Sequence, residues 1–211
     1  SSWNRDAFES DQYGRNFLGV PPQGNADYAF FQHILKSLKP NGGRCAILFP
    51  HGVLFRGEEK DMREKLIQQD LVECVIGLGK NLFYNSPMEA CIVICNINKR
   101  VNRKNQILFI NAKHEVTRKN SQSFLEDNHI KKIASTYNEF NTIDGFSYVA
   151  SIEEIQQNDY ELTISLYAND DIGTPPKPIE ISLPAWVDSS KSVQKEYSIL
   201  NSLIGGGDTD A

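Results

Sequence analysis

Three short apolar runs, at residues 44–50, 71–78 and 90–96, constrain the fold of this chain more than any other feature. The first, Arg44-Cys45-Ala46-Ile47-Leu48-Phe49-Pro50, is almost continuously apolar, the pattern of a strand covered on both faces in a parallel sheet. The second is rich in β-branched residues, and the third follows it after an eleven-residue connection at 79–89. A parallel crossover needs about a dozen residues and usually a helix, and no helical period fits between these two runs. They are therefore expected to pair antiparallel, so that the sheet becomes mixed near its edge.

Helical patterns precede the first two runs. Residues 26–38, after Asn25 as a plausible N-cap, place Phe30, Ile34 and Leu38 on one face beside Phe31 and Leu35, and Pro40-Asn41-Gly42-Gly43 stops the helix. Residues 57–69 carry acids early, bases later, and apolar Met62, Leu66 and Ile67, as an amphipathic surface helix does. The order helix, tight turn, buried strand, twice over, predicts an α/β fold. Further on, 106–110 reads as another strand, 123–140 has near-helical spacing, and Ser151 with Glu154 forms a capping-box signature that opens a helix to Gln157.

Four regions follow from this pass: an irregular lead-in at 1–24, the sheet units at 25–98, an extension at 99–172, and a Pro/Gly-rich segment at 173–211 with a short helix expected over 190–203. With 211 residues and 40% hydrophobic composition the chain can bury a core. Its formal charge of -5 argues against nucleic-acid binding by bulk electrostatics, so any DNA contact must be local. No run of about 18 apolar residues suggests a membrane span, and the polar start lacks the order of a secretion signal, which makes the cytoplasm the default compartment. Cys45, Cys74, Cys91 and Cys95 all fall in strand runs, where a thiol behaves as a small hydrophobe; a zinc site would want close Cys/His pairs on turns, so no metal is expected.

Three blocks in order carry a resemblance. Asn25-Ala26-Asp27-Tyr28-Ala29-Phe30-Phe31-Gln32-His33 runs into Lys39-Pro40-Asn41-Gly42-Gly43 and Phe49-Pro50-His51-Gly52-Val53-Leu54-Phe55-Arg56-Gly57. Val75-Ile76-Gly77-Leu78 is followed by Asn81-Leu82-Phe83-Tyr84 and Ala90-Cys91-Ile92-Val93, and Asn158-Asp159-Tyr160-Glu161-Leu162-Thr163-Ile164-Ser165-Leu166-Tyr167 comes last. Over residues 3–168 the chain resembles the C-terminal half of the methyltransferase (modification) subunit of type I restriction-modification systems. Each block alone is weak, because Lys-Pro-Asn-Gly-Gly before a buried strand recurs in many methyltransferase-like sheets.

The resemblance implies a DNA adenine-N6 methyltransferase using S-adenosylmethionine, on a doubly wound, Rossmann-like sheet whose last two strands form an antiparallel hairpin. It implies a cofactor site at a glycine-rich turn after the first strand and an Asn-Pro-Pro-aromatic tetrapeptide that holds the target amine. Neither motif is present, and Gly19-Val20-Pro21-Pro22 has no Asn before its prolines. No catalytic or cofactor residue is therefore assigned in this chain, the tetrapeptide is expected upstream of Ser1, and the chain alone is expected to be inactive and to bind no cofactor. The partners implied are DNA, a specificity subunit, a second modification subunit and a restriction subunit, and a sheet missing its first strands is expected to self-associate. The alternatives are a non-catalytic assembly or DNA-docking module, and a methyltransferase of the same fold acting on another nucleic acid.

By position in the resemblance, Phe83 matches the aromatic that stacks on an extruded adenine, with Tyr84 as its neighbouring alternative; the plain reading is that Phe83 packs the loop between two strands. Arg100, Arg103, Lys104 and Lys113 belong to the one concentrated basic stretch, with Lys99, Arg118 and Lys119, and are expected to touch DNA phosphates if they are not a solvated loop. His51, after the first apolar run, reads as a turn histidine, since no partner acid or nucleophile is recognisable beside it.

Overall fold

The structure is a computed structural model that describes residues 3–84 and 86–169. The Pro/Gly-rich segment at 173–211 and the helix expected over 190–203 lie outside the described residues. The described chain opens with α1 (Arg5–Glu9) and α2 (Asp27–Lys36), then β1 (Arg44–Pro50), α3 (Lys60–Gln68), β2 (Val72–Leu78) and β3 (Ala90–Asn96). It continues with β4 (Gln106–Ala112), β5 (Thr117–Lys119), β6 (Gln122–Phe124), α4 (Asp127–Glu139), β7 (Ser147–Ser151), α5 (Ile152–Gln157) and α6 (Ile164–Tyr167).

Five strands form one sheet in the order β1-β3-β2-β4-β7. The short connection at 79–89 has the expected effect: β3 inserts antiparallel between β1 and β2, with Leu48 and Ile76 both opposite Ile92. The strand β4 then lies parallel to β2, with Ile110 beside Ile76, and β7 closes the far edge antiparallel to β4. Thus β1, β2 and β4 run in one direction and their carboxyl ends share one edge. Because β4 and β7 belong to the same sheet as β1 to β3, residues 99–169 extend that sheet.

Alternation along the strands builds two apolar layers. Val75, Val93, Ile107 and Phe109 face α2, α3 and α6, where Phe31, Met62, Leu66, Ile67 and Tyr167 are buried, while Cys74, Ile76, Leu108 and Ile110 face Phe146 and the Ile133, Tyr137 and Phe140 side of α4. Each fully buried aliphatic side chain here contributes about 1.5–3 kcal/mol. The helix α3 buries the stripe expected of it, and Ser151 caps α5 as predicted, its hydroxyl accepting from the Glu154 N–H at 3.2 Å.

Several expectations are corrected. The lead-in is not wholly irregular: Asn4 caps α1, and Leu18 is fully buried, its N–H donating to the Gln32 side chain at 2.7 Å. The N-cap of α2 is Ala26 rather than Asn25, and the buried face is Tyr28, Phe31, Gln32 and Leu35, leaving Phe30 65% exposed. The periodicity at 123–140 begins too early, because Ser123 and Phe124 belong to β6. Most informative is β1, which is not covered on both faces: Arg44, Ala46 and Leu48 are exposed, and it pairs with β3 alone among the described residues. A strand at a sheet edge keeps one row of unpaired backbone groups and one open flank.

Candidate nucleic-acid interface

The carboxyl ends of β1, β2 and β4 lead into His51, Gly79 and Lys113, which places all three at one edge of the sheet. Open α/β sheets collect ligands at this edge, because side chains and backbone groups from separate turns converge there. A cavity of about 180 Å³ lies among His51, Gly77, Leu78, Glu89, Asn111 and Lys113. His51 Nε2 lies 3.0 Å from the Ala90 carbonyl, which can only accept, so that nitrogen carries the proton; Nδ1 sits 3.8 Å from Glu89. Those contacts tie the turn after β1 to the start of β3, and they give His51 an acid neighbour, Glu89, that the sequence reading had not recognised.

Beyond this cavity the 79–89 connection meets the β5–β6 hairpin. A Cβ on Gly79 would stand 2.5 Å from the Lys113 carbonyl oxygen, so only glycine allows the two backbones to lie this close. The Ser123 N–H donates to the Asn81 carbonyl at 2.8 Å, which fastens the hairpin to the loop. Within the loop, the Ser86 N–H donates to the Phe83 carbonyl at 3.2 Å in a tight reversal. Phe83 is half-buried against the layer that holds Leu78 and Phe146, whereas its neighbour Tyr84 is 85% exposed. A second cavity, about 300 Å³, opens among Asn81, Phe83, Tyr84, Ser86, Ser121 and Gln122.

A third cavity of about 360 Å³ lies between these two, sharing Glu89 and Lys113 with the first and Asn81 with the second, so the three form one trough. Its basic side chains are Lys80, Lys113, His114 and Arg118, and its acid is Glu89, 3.7 Å from Lys80.

The basic stretch expected to touch phosphates is divided by the fold. Lys113 stands at the trough, but Arg100 and Lys104, both exposed, precede β4 and so occupy the opposite edge of the sheet, a strand length of about 20 Å away. Arg103 is corrected outright: it is 5% exposed, its guanidinium lies 3.6 Å from Glu73, donates to the Asn138 carbonyl at 2.7 Å, and covers the Tyr137 and Phe140 rings. A carboxylate buried like Glu73, at 1% exposure, demands a counter-charge, and Arg103 supplies it from within the fold. Burial and the bond to Glu73 push the Tyr137 hydroxyl above its ordinary range. Lys99 is likewise buried, bonded to Asp70 at 2.6 Å, with burial lowering its pKa against that partner's pull.

Lys80 and the convergence of Arg118 on the base-loop side escaped the sequence reading. Their one available signal was Asn120-Ser121 between two polar triplets, a two-residue hairpin loop whose Asn120 adopts φ +57°. The cysteines sit in the strands as expected, and burial pushes the Cys91 thiol up to about 12.

Gly43 and Gly79, where an added Cβ would meet backbone, abut their own chain at Lys39 and Lys113. No helix among the described residues is long and apolar enough to cross a membrane.

Comparison with known proteins gives a consistent result. A family model described as N-6 DNA Methylase matches residues 1–172. The chain is 40% identical over 178 residues to the type I restriction enzyme MjaVIII methylase subunit of Methanocaldococcus jannaschii, covering 78% of this chain and 30% of that protein. It is 34% identical over 221 residues to the HindI methylase subunit of Haemophilus influenzae, covering 97% of this chain and 48% of the relative. Among solved structures, the type I restriction-modification methyltransferase subunit from Streptococcus thermophilus superposes with a TM-score of 0.74 at 36% identity, covering 80% of this chain and 36% of that one. The chain thus spans less than half the length of these relatives.

Proposed function

Because the chain belongs to the N-6 DNA methylase family, we propose that it is the target-base side of a type I restriction-modification methylase subunit, which transfers a methyl group from S-adenosylmethionine to adenine N6 in DNA. The observation that carries this reading is the exposed Tyr84 on a loop braced by half-buried Phe83, beside an open cavity at the carboxyl edge of the sheet.

An adenine inside a duplex cannot present its amine to a methyl donor, so the base must leave the stack. The cost is offset by an aromatic surface that receives the base, worth about 1–3 kcal/mol per stacked ring. Tyr84 supplies that surface and Phe83 holds it in place. In this reading the cofactor turn and the groups that orient the amine come from the part of the subunit that the relatives have beyond the matched segment. The subunit works with a DNA-specificity subunit, a second modification subunit and a restriction subunit, in the cytoplasm where its DNA is.

The test uses the full-length subunit assembled with its specificity subunit and a duplex carrying 2-aminopurine at the target position. Tyr84→Ala is expected to reduce methylation about 5- to 150-fold, the range set by losing one stacked ring, and to diminish the emission change that accompanies extrusion. Phe83→Ala is expected to reproduce this in weaker form by loosening the loop. Unchanged rates and emission in both variants would falsify the assignment.

A further inference from the structure

We propose that Lys80 and Arg118 form a phosphodiester site that grips the DNA backbone next to the extruded base. The inference rests on the target-base reading of Tyr84 and adds a ligand class and residues to it.

Position is the first ground. The cavity containing Lys80 and Arg118 shares Asn81 with the cavity containing Phe83 and Tyr84, so a nucleotide held at the aromatic pair has its flanking backbone at these cations. Attachment is the second. Arg118 stands on the β5–β6 hairpin, which is joined to the base loop by the Ser123–Asn81 bond and by the glycine-only approach of Gly79 to Lys113. The hairpin that carries Arg118 is therefore tied directly to the loop that carries Lys80 and the aromatics.

Available bonding capacity is the third ground. The Lys80 side chain is 68% exposed and its ion pair with Glu89, at 3.7 Å, is an exposed contact worth under about 1 kcal/mol, which a phosphate can displace. Among the described residues Arg118 bonds through its Nε–H, to the Asn120 carbonyl at 3.4 Å, which leaves its other guanidinium donors for the paired oxygens of a phosphate. A chain with a net charge of -5 draws no DNA by its overall field, so cations placed beside the base carry disproportionate weight.

The experiment is a salt titration of DNA binding by the assembled enzyme, comparing wild type with the Lys80→Ala/Arg118→Ala double variant. Each lost phosphate contact is expected to reduce the slope of log Kobs against log[salt] by about 0.9. The loss falls on KM for DNA, and sequence choice is unaltered because phosphate contacts carry no base information. The charge-conserving pair Lys80→Arg/Arg118→Lys is expected to restore the slope. A wild-type slope in the alanine pair overturns the proposal, as does a changed sequence preference or a failure of the charge-conserving pair to restore binding. Tyr84→Ala, run alongside, removes the 2-aminopurine response and keeps the slope. The base reading and the phosphate site can therefore fail separately.

Discussion

Glu73 shows how a single buried charge organises its surroundings. Its carboxylate accepts from the Tyr137 hydroxyl and from Asn96 Nδ2 at 3.2 Å, with the Arg103 guanidinium 3.6 Å and the Arg44 guanidinium 3.9 Å away. The arrangement is asymmetric: Arg103 is buried with it, with an Nε–H that finds no partner among the described residues, whereas Arg44 reaches in from solvent. Removing Arg103 leaves a desolvated carboxylate short of its nearest buried counter-charge, whereas removing both charges leaves a neutral contact. Arg103→Met is expected to cost about 3–5 kcal/mol in urea unfolding at unchanged m-value, and the Arg103→Met/Glu73→Gln double variant to recover part of it. A loss below about 1 kcal/mol for the single variant would mean that water reaches the pair. Neither variant should alter the salt dependence of DNA binding, since Arg103 faces the protein.

The coupling between the 79–89 loop and the β5–β6 hairpin is a property of elements, and Gly79 is where it can be cut. An alanine Cβ 2.5 Å from the Lys113 carbonyl cannot be absorbed by a side-chain rotation, because the obstacle is backbone. Gly79→Ala is expected to part the loop from the hairpin, lowering methylation at least 10-fold while the unfolding free energy in urea falls by no more than about 1–2 kcal/mol. Amide exchange would show it directly, as faster exchange of the Ser123 N–H that bonds Asn81. Retained protection there would refute the coupling. The sheet was largely legible beforehand: β2 and β3 announced themselves as apolar runs too closely joined for a crossover, and Ser151 marked α5 by its cap. The hairpin was not, because β5 and β6 are polar triplets without an apolar period to reveal them. Nor could the basic stretch be divided in advance. Which edge Arg100, Lys104 and Lys113 occupy depends on the direction of β4, and the burial of Arg103 depends on Glu73, thirty residues earlier in β2.

Taken whole, the described residues form a sheet with one closed flank and one open one. The far edge ends in β7, whose outer backbone groups bond Ile143 and Thr142, but β1 presents backbone groups that pair with no further strand among the described residues. Leu48 on that strand is 49% exposed, Phe55 just beyond it 50%, and Phe30 on the preceding helix 65%. Exposed apolar side chains near a strand edge that is unpaired among the described residues make a surface on which further chain, or a second copy, can dock. If so, residues 1–211 in isolation should satisfy the edge with a second copy of themselves. Size-exclusion chromatography with light scattering is expected to show a dimer that dissociates on dilution, and Leu48→Lys to shift it towards monomer, because a lysine on an edge strand sets like charges against each other when two edges meet. A dilution-stable monomer of the unaltered chain would show instead that the edge is protected from within, and the case for a missing covering segment would then rest on the aromatics alone.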